Sequence, residues 1–156
     1  MPVFKVRPAD PMSEVAGAIV ARHLQMMYSQ SPEGSVHALS GADLAGPDVD
    51  FFLLWDGDRP LAMGALKRFG DREGELKSMH VVAEARGRGA GAAMLDHLLA
   101  HARATGLRRV SLETGSDGNF VSARGLYIRA GFTFCKPFAD YVPDPESVFM
   151  TLDLEG

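Results

Sequence analysis

Met79-His80-Val81-Val82-Ala83-Glu84-Ala85-Arg86-Gly87-Arg88-Gly89-Ala90-Gly91-Ala92 is the stretch that decides the fold. An apolar, β-prone run enters it, and three glycines follow at every second position. Beyond them Met94, Leu95, Leu98, Leu99 and Ala102 recur at helical spacing, with Gly106 as a stop, so a helix is expected over Gly91 to Thr105. Glycines let backbone N–H groups turn toward a ligand without Cβ collisions. The start of a helix adds unpaired donors and partial positive charge, an arrangement that suits a pyrophosphate. Arg86 and Arg88 add charge where phosphates would lie. The plain alternative is a tight turn that needs glycine for packing alone. A P-loop does not fit, because no Lys-Ser/Thr pair follows the glycines. A Rossmann fingerprint belongs near the start of a repeated βαβ array, and what precedes this loop is of another kind.

Upstream, Val3 to Arg7 reads as a short strand and Pro11 to Tyr28 as a helix striped by Val15, Ile19, Val20, Leu24 and Met27. Ser29 to Asp48 is rich in Ser, Gly, Pro and Asp, with one short helical piece near Leu39 to Leu44. Phe51 to Trp55 and Leu61 to Lys67 form a hairpin around Asp56-Gly57-Asp58, and Glu75 to Val82 continues the meander. Downstream, Val110 to Glu113 is a strand, Asn119 or Phe120 to Ala130 a helix stopped by Gly131, and Phe132 to Phe138 and Val148 to Leu154 the last two strands. An antiparallel meander followed by strand-helix-strand-helix-strand describes an α/β (α+β) fold. Its sheet of six or seven strands is largely antiparallel, covered by about four helices, with one parallel pair across the Gly91–Thr105 helix.

The length of 156 residues fits one domain, read as an N-terminal region, residues 1–50, followed by the core that carries the ligand-binding loop, residues 51–156. No apolar run approaches the roughly 20 residues that cross a bilayer. The first ten residues lack a signal-peptide core, and the expected location is the cytoplasm. Cys135 is the only cysteine and reads as a small thiol on a half-buried strand rather than a nucleophile. A net charge of −4 argues against broad binding of nucleic acid or acidic membranes.

At the glycine loop the chain resembles the GNAT superfamily of N-acetyltransferases. Arg86-Gly87-Arg88-Gly89-Ala90-Gly91 matches the family's Arg/Gln-x-x-Gly-x-Gly/Ala loop. Leu126-Tyr127-Ile128-Arg129-Ala130-Gly131-Phe132 matches its Leu-Tyr-x-x-x-Gly-Phe segment. The resemblance implies transfer of acetyl from acetyl-CoA, a co-substrate, to a primary amine of a small molecule or peptide. Backbone amides of Arg86, Gly87, Arg88, Gly89, Ala90, Gly91 and Ala92 would hold the pyrophosphate. The backbone of Met79, His80 and Val81 would pair with the pantetheine arm and polarise the thioester carbonyl. Tyr127 would protonate the departing sulfur. One departure stands out: where the family carries an Asn seven residues before that tyrosine, this chain has Phe120, and Asn119 precedes it. Asn119 therefore reads either as a cofactor contact or as a helix cap.

The base is sought among carboxylates. Glu75 lies on the strand leading to the loop, with the parity of Met79 and Val81, and its plain alternative is an ion pair with Lys67 or Lys77. Glu113, His37 and Tyr141 are expected at the acceptor side. His97 and His101 stand one helical turn apart but lack a third ligand, so no metal is expected and they read as surface histidines. A domain that binds acyl-CoA as a sensor or scaffold, without turnover, is the competing reading. The resemblance leaves a homodimer open.

Overall fold

The computed structural model describes residues 3–30 and 39–155, apart from the side chain of Asn119. Seven strands form one sheet: β1 (Phe4–Pro8), β2 (Val49–Asp56), β3 (Arg59–Phe69), β4 (Glu73–Val81), β5 (Arg109–Gly115), β6 (Thr133–Cys135) and β7 (Ser147–Asp153). Their order is β1-β2-β3-β4-β5-β7-β6, and every neighbouring pair is antiparallel except β4 with β5. The helices are α1 (Glu14–Gln30), α2 (Gly41–Leu44), α3 (Ala90–Ala104) and α4 (Val121–Arg129). The parallel pair needs a crossover, and α3 supplies it. No helix among the described residues is long and apolar enough to cross a membrane.

The helix α3 is held by the stripe its sequence announces. Met94, Leu95, Leu98, Leu99 and Ala102 are all buried, and a fully buried Leu or Met contributes roughly 1.5–3 kcal/mol. Gly64 of β3 lies so close beneath it that a methyl group there would stand 2.9–3.0 Å from Leu98, Met94 and Met79. On the other side of the sheet, α1 turns Ala16, Ile19, Val20 and His23 inward and leaves Val15 exposed. The stripe expected from Val15 is thus rotated, because a histidine takes a core position that a hydrophobic count passes over.

Two further expectations change. The register between β3 and β4 pairs Ala65 with Lys77 but Met63 with His80, so Gly64 faces two residues, Ser78 and Met79. Ser78 absorbs the extra residue with φ +57°. This bulge reverses the alternation of side chains. Glu75 and Lys77 therefore share a face with His80, and Met79 lies on the opposite, α3 face; the parity expected of Glu75 with Met79 and Val81 does not hold. The strand expected over Phe132 to Phe138 is cut to three residues. After Ala139 takes φ +51°, Phe138 instead joins a ring cluster with Phe69, Tyr141 and Phe149 at centroid distances of 5.1–5.9 Å.

Candidate active site

Strands β4 and β5 pair only from Glu73↔Arg109 to Leu76↔Leu112. Beyond that, β5 continues against β7 while β4 continues against β3, and the two part. The gap is the floor of a cleft of about 580 Å³. Its walls include β4 from Glu75 to Val81, the glycine loop, the end of β5, α4 and the last turns of α1. Ser78 lines it, is 8% exposed, and its Oγ has no hydrogen-bond partner among the described residues. A buried hydroxyl left unpaired costs about 1–3 kcal/mol.

At the mouth, Gly87 and Gly89 adopt φ +82° and +85°, and a Cβ at either would meet nothing within 4 Å. Gly89 is the N-cap of α3 and has no side chain to accept from the amides of Ala90, Gly91 and Ala92. Gly89, Ala90 and Gly91 line the cleft. Arg86 lines the cleft, its guanidinium 3.3 Å from the Met26 sulfur. Arg88 turns the other way. It pairs with Asp56 at 2.7 Å and lies over the Phe4 ring at 5.7 Å, linking the loop to β1 and β2. Arg88→Ala is therefore expected to weaken acyl-CoA binding only about two- to threefold, an exposed ion pair being worth about 0–1 kcal/mol. Titration calorimetry at two ionic strengths would check this, with little change expected between them.

On α4, Tyr127 is buried, lines the cleft and contacts Phe132 edge-on at 5.7 Å. Burial, and then the charge of Glu113, push its phenol well above its ordinary range, so it keeps its proton throughout the working pH range. The N-cap of α4 is Phe120, which has no capping oxygen. Its ring lies where a Cβ on Gly115 would have to be, 2.1 Å away, so the Phe requires the glycine at the end of β5. Asn119 lies in the short 3₁₀ turn Gly118–Phe120 just before α4.

The end of the cleft around Glu75 gathers several groups. Glu75 is buried at the cleft, and its Oε2 accepts from the Tyr141 hydroxyl at 2.5 Å and stands 3.3 Å from Lys77 Nζ. Lys77 in turn donates to the Tyr141 oxygen at 2.9 Å. The ring cluster around Phe138 seats Tyr141 for these contacts, with Phe149 5.3 Å away. Burial, followed by Glu75, holds the Tyr141 phenol far above its usual range. Glu113 also lines the cleft and accepts from Ser147 Oγ at 2.7 Å. His37 lies outside the described residues. His97 and His101 are half-buried rather than on open surface: both rings stack edge-on against Phe52, and His101 lies 2.9 Å from Asp50.

Three cleft residues escaped the sequence reading. Lys77 appeared there only as an alternative partner for Glu75, and neither Ser78 nor His23 belonged to a motif. The side chain of His80 is occupied too: its Nδ1 is 3.2 Å from Nδ1 of His23, both rings buried. One ring must present N–H and the other a lone pair, so the two cannot both be protonated. Burial lowers each from 6.5 to about 4, assisted at His23 by His80 and Lys77 and at His80 by Arg86 and Arg22. The unfolded chain takes up these protons near pH 6.5 and the folded chain only near 4. Their contribution is thus intact above pH 6.5, falls as pH drops through that window and levels off below 4. For His23 the loss is about 3 kcal/mol. Thermal melts of His23→Gln should show a flatter dependence on pH between 6.5 and 4 than the parent protein.

An extended polar arm ending in phosphates fits these residues: an open strand edge, an orphaned hydroxyl, then uncapped amides at a glycine cradle. The profile of the acetyltransferase (GNAT) family matches residues 18–132, and the chain belongs to that family. It is an N-acetyltransferase of a fold whose enzymes use acetyl-CoA, and this membership speaks for turnover rather than for a domain that only binds. The chain is 44% identical over 137 residues to the uncharacterised N-acetyltransferase YsnE of Bacillus subtilis, covering 88% of this chain and 91% of that protein. It is 40% identical over 152 residues to the uncharacterised N-acetyltransferase YedL of Escherichia coli, covering 97% and 96%. A Bacillus subtilis acetyltransferase solved in complex with CoA shares the fold, with a TM-score of 0.70 over 97% of this chain and 99% of that one at 14% identity.

Proposed function

We propose that the protein transfers acetyl from acetyl-CoA directly to a primary amine of a small molecule or peptide. The observation that carries this reading is a single cleft lined by both the buried Tyr127 and the Glu75 carboxylate, which Tyr141 and Lys77 hold in place. Bound there, acetyl-CoA supplies an acetyl group activated as a thioester. The amides from Arg86 to Ala92, with the Arg86 side chain, hold the pyrophosphate. The backbone of Met79, His80 and Val81 receives the pantetheine arm along the open edge of β4, and Asn119 stands beside the same arm.

Glu75 takes the proton of the incoming amine, directly or through water, and Lys77 and Tyr141 keep its carboxylate in place. Tyr127 gives its proton to the sulfur as the carbon–sulfur bond breaks. Residues 1–50 furnish the acceptor side, supported by His23, Met26, Met27 and Gln30 of α1 at the cleft. Glu113 and Tyr141 complete that side, where carboxylates outnumber the ammonium of Lys77. A screen of amines, following release of free thiol from acetyl-CoA, tests the reading. Thiol release that depends on a primary amine supports it, and binding of acetyl-CoA without turnover on any amine would sink it.

A further inference from the structure

We propose that the Ser78 hydroxyl donates a hydrogen bond to the thioester carbonyl oxygen and is a catalytic residue of the transfer. The proposal rests on acetyl-CoA as the donor. It starts from two costs borne by one residue. Ser78 holds φ +57°, a conformation that residues with a Cβ rarely adopt, and its Oγ is buried without a partner among the described residues. The bulge could have been built with a glycine, which would carry neither penalty.

Position supplies the reason. Leu76 is the last residue of β4 paired with β5, so the gap closes there. An arm entering from the glycine loop runs along β4 from Val81 and must end just short of Leu76. Ser78 lies two residues from that end and lines the cleft. Lys77 beside it faces the acceptor group formed with Glu75 and Tyr141, and Met79 after it packs under α3. The hydroxyl thus stands between the amine side and the arm, where the acyl carbon must lie.

The chemistry needs such a donor. As the amine nitrogen bonds to the acyl carbon, an electron pair moves onto the carbonyl oxygen. It returns as the carbon–sulfur bond breaks and the pair leaves on sulfur. The amine proton goes to Glu75 and the Tyr127 proton to sulfur. Ser78 keeps its own proton throughout, and its hydrogen bond strengthens while charge rests on oxygen. A hydroxyl with no other acceptor among the described residues loses no bond to them when it turns to the carbonyl.

The test compares Ser78→Ala and Ser78→Gly, the second of which suits the positive φ and guards against a folding defect. Both should melt at or above the parent temperature, since an orphaned hydroxyl is removed. Both should bind CoA as the parent does, yet bind acetyl-CoA several-fold more weakly and lose about 10²–10³-fold in kcat. In the parent the infrared carbonyl band of bound ¹³C-acetyl-CoA should lie at lower wavenumber than in either variant. Unchanged kcat with an unshifted band would overturn the proposal, as would equal losses of CoA and acetyl-CoA affinity, which would assign the hydroxyl to the arm. A parent protein that binds neither compound would instead refute acetyl-CoA as the donor, and the proposal with it.

Discussion

Tyr127→Phe is expected to lower kcat by about 10²-fold while leaving acetyl-CoA affinity and melting temperature almost unchanged. General acid help is worth about 10²–10⁴-fold, and two features of the site place the loss at the low end. The phenol is raised above its ordinary range by burial and by Glu113, which makes it a reluctant donor. A thiol titrates near 8.5, so the thiolate is a fair leaving group that draws only part of the benefit. The ring itself stays: its packing on Phe132 and its place in the core do not depend on the hydroxyl. Single-turnover rates beside calorimetry make the comparison. Full activity in the Phe variant would assign the proton to water or another group, and parallel losses of rate and binding would mark Tyr127 as a positioning residue.

Gly89→Val is expected to weaken acetyl-CoA binding by at least 100-fold. A β-branched residue at φ +85° is strained by about 1–3 kcal/mol, and its side chain would stand in open space at the uncapped start of α3. There it would obstruct the amides of Ala90, Gly91 and Ala92. Gly57→Val separates the two effects. Gly57 also has positive φ, +61°, with nothing near its Cβ, but it lies in the turn between β2 and β3. That variant should lose comparable stability and keep its affinity, read by melting and calorimetry. Equal affinity losses in both would mean that strain, not the loss of a phosphate cradle, is being measured.

The sequence made the glycine-loop end of the cleft legible and the end around Glu75 and Tyr141 only in part. Gly87 and Gly89 signal themselves because so few residues tolerate their φ, and the α3 stripe signals itself because its period is regular. Strand order up to the parallel pair followed from the same periodicities. The bulge at Ser78 left no such mark, since serine is an ordinary strand residue and only the register of β3 reveals that one residue is extra. Every parity argument for Glu75 therefore came out on the wrong face relative to Met79. The pairing of His23 with His80 joins residues 57 apart through tertiary packing alone. Tyr141 reaches Glu75 through a ring cluster whose members lie on three different segments. Phe120 is explicable only beside Gly115.

The parting of β4 from β5 leaves this protein with a strand edge in the middle of its sheet. Unpaired edges invite other chains to add on and are a recognised route to aggregation. The two outer edges are guarded in ordinary ways: β1 carries Lys5, Arg7 and Pro8, and β6 is only three residues long. The inner edge has no such charge along Ser78 to Val81 and is shielded by depth, between α3, α4 and the end of α1. On the function proposed above, an extended ligand arm would satisfy it from one side. Substrate binding and colloidal solubility thus share one stretch of backbone, and the filled enzyme should resist clumping on gentle heating better than the empty one.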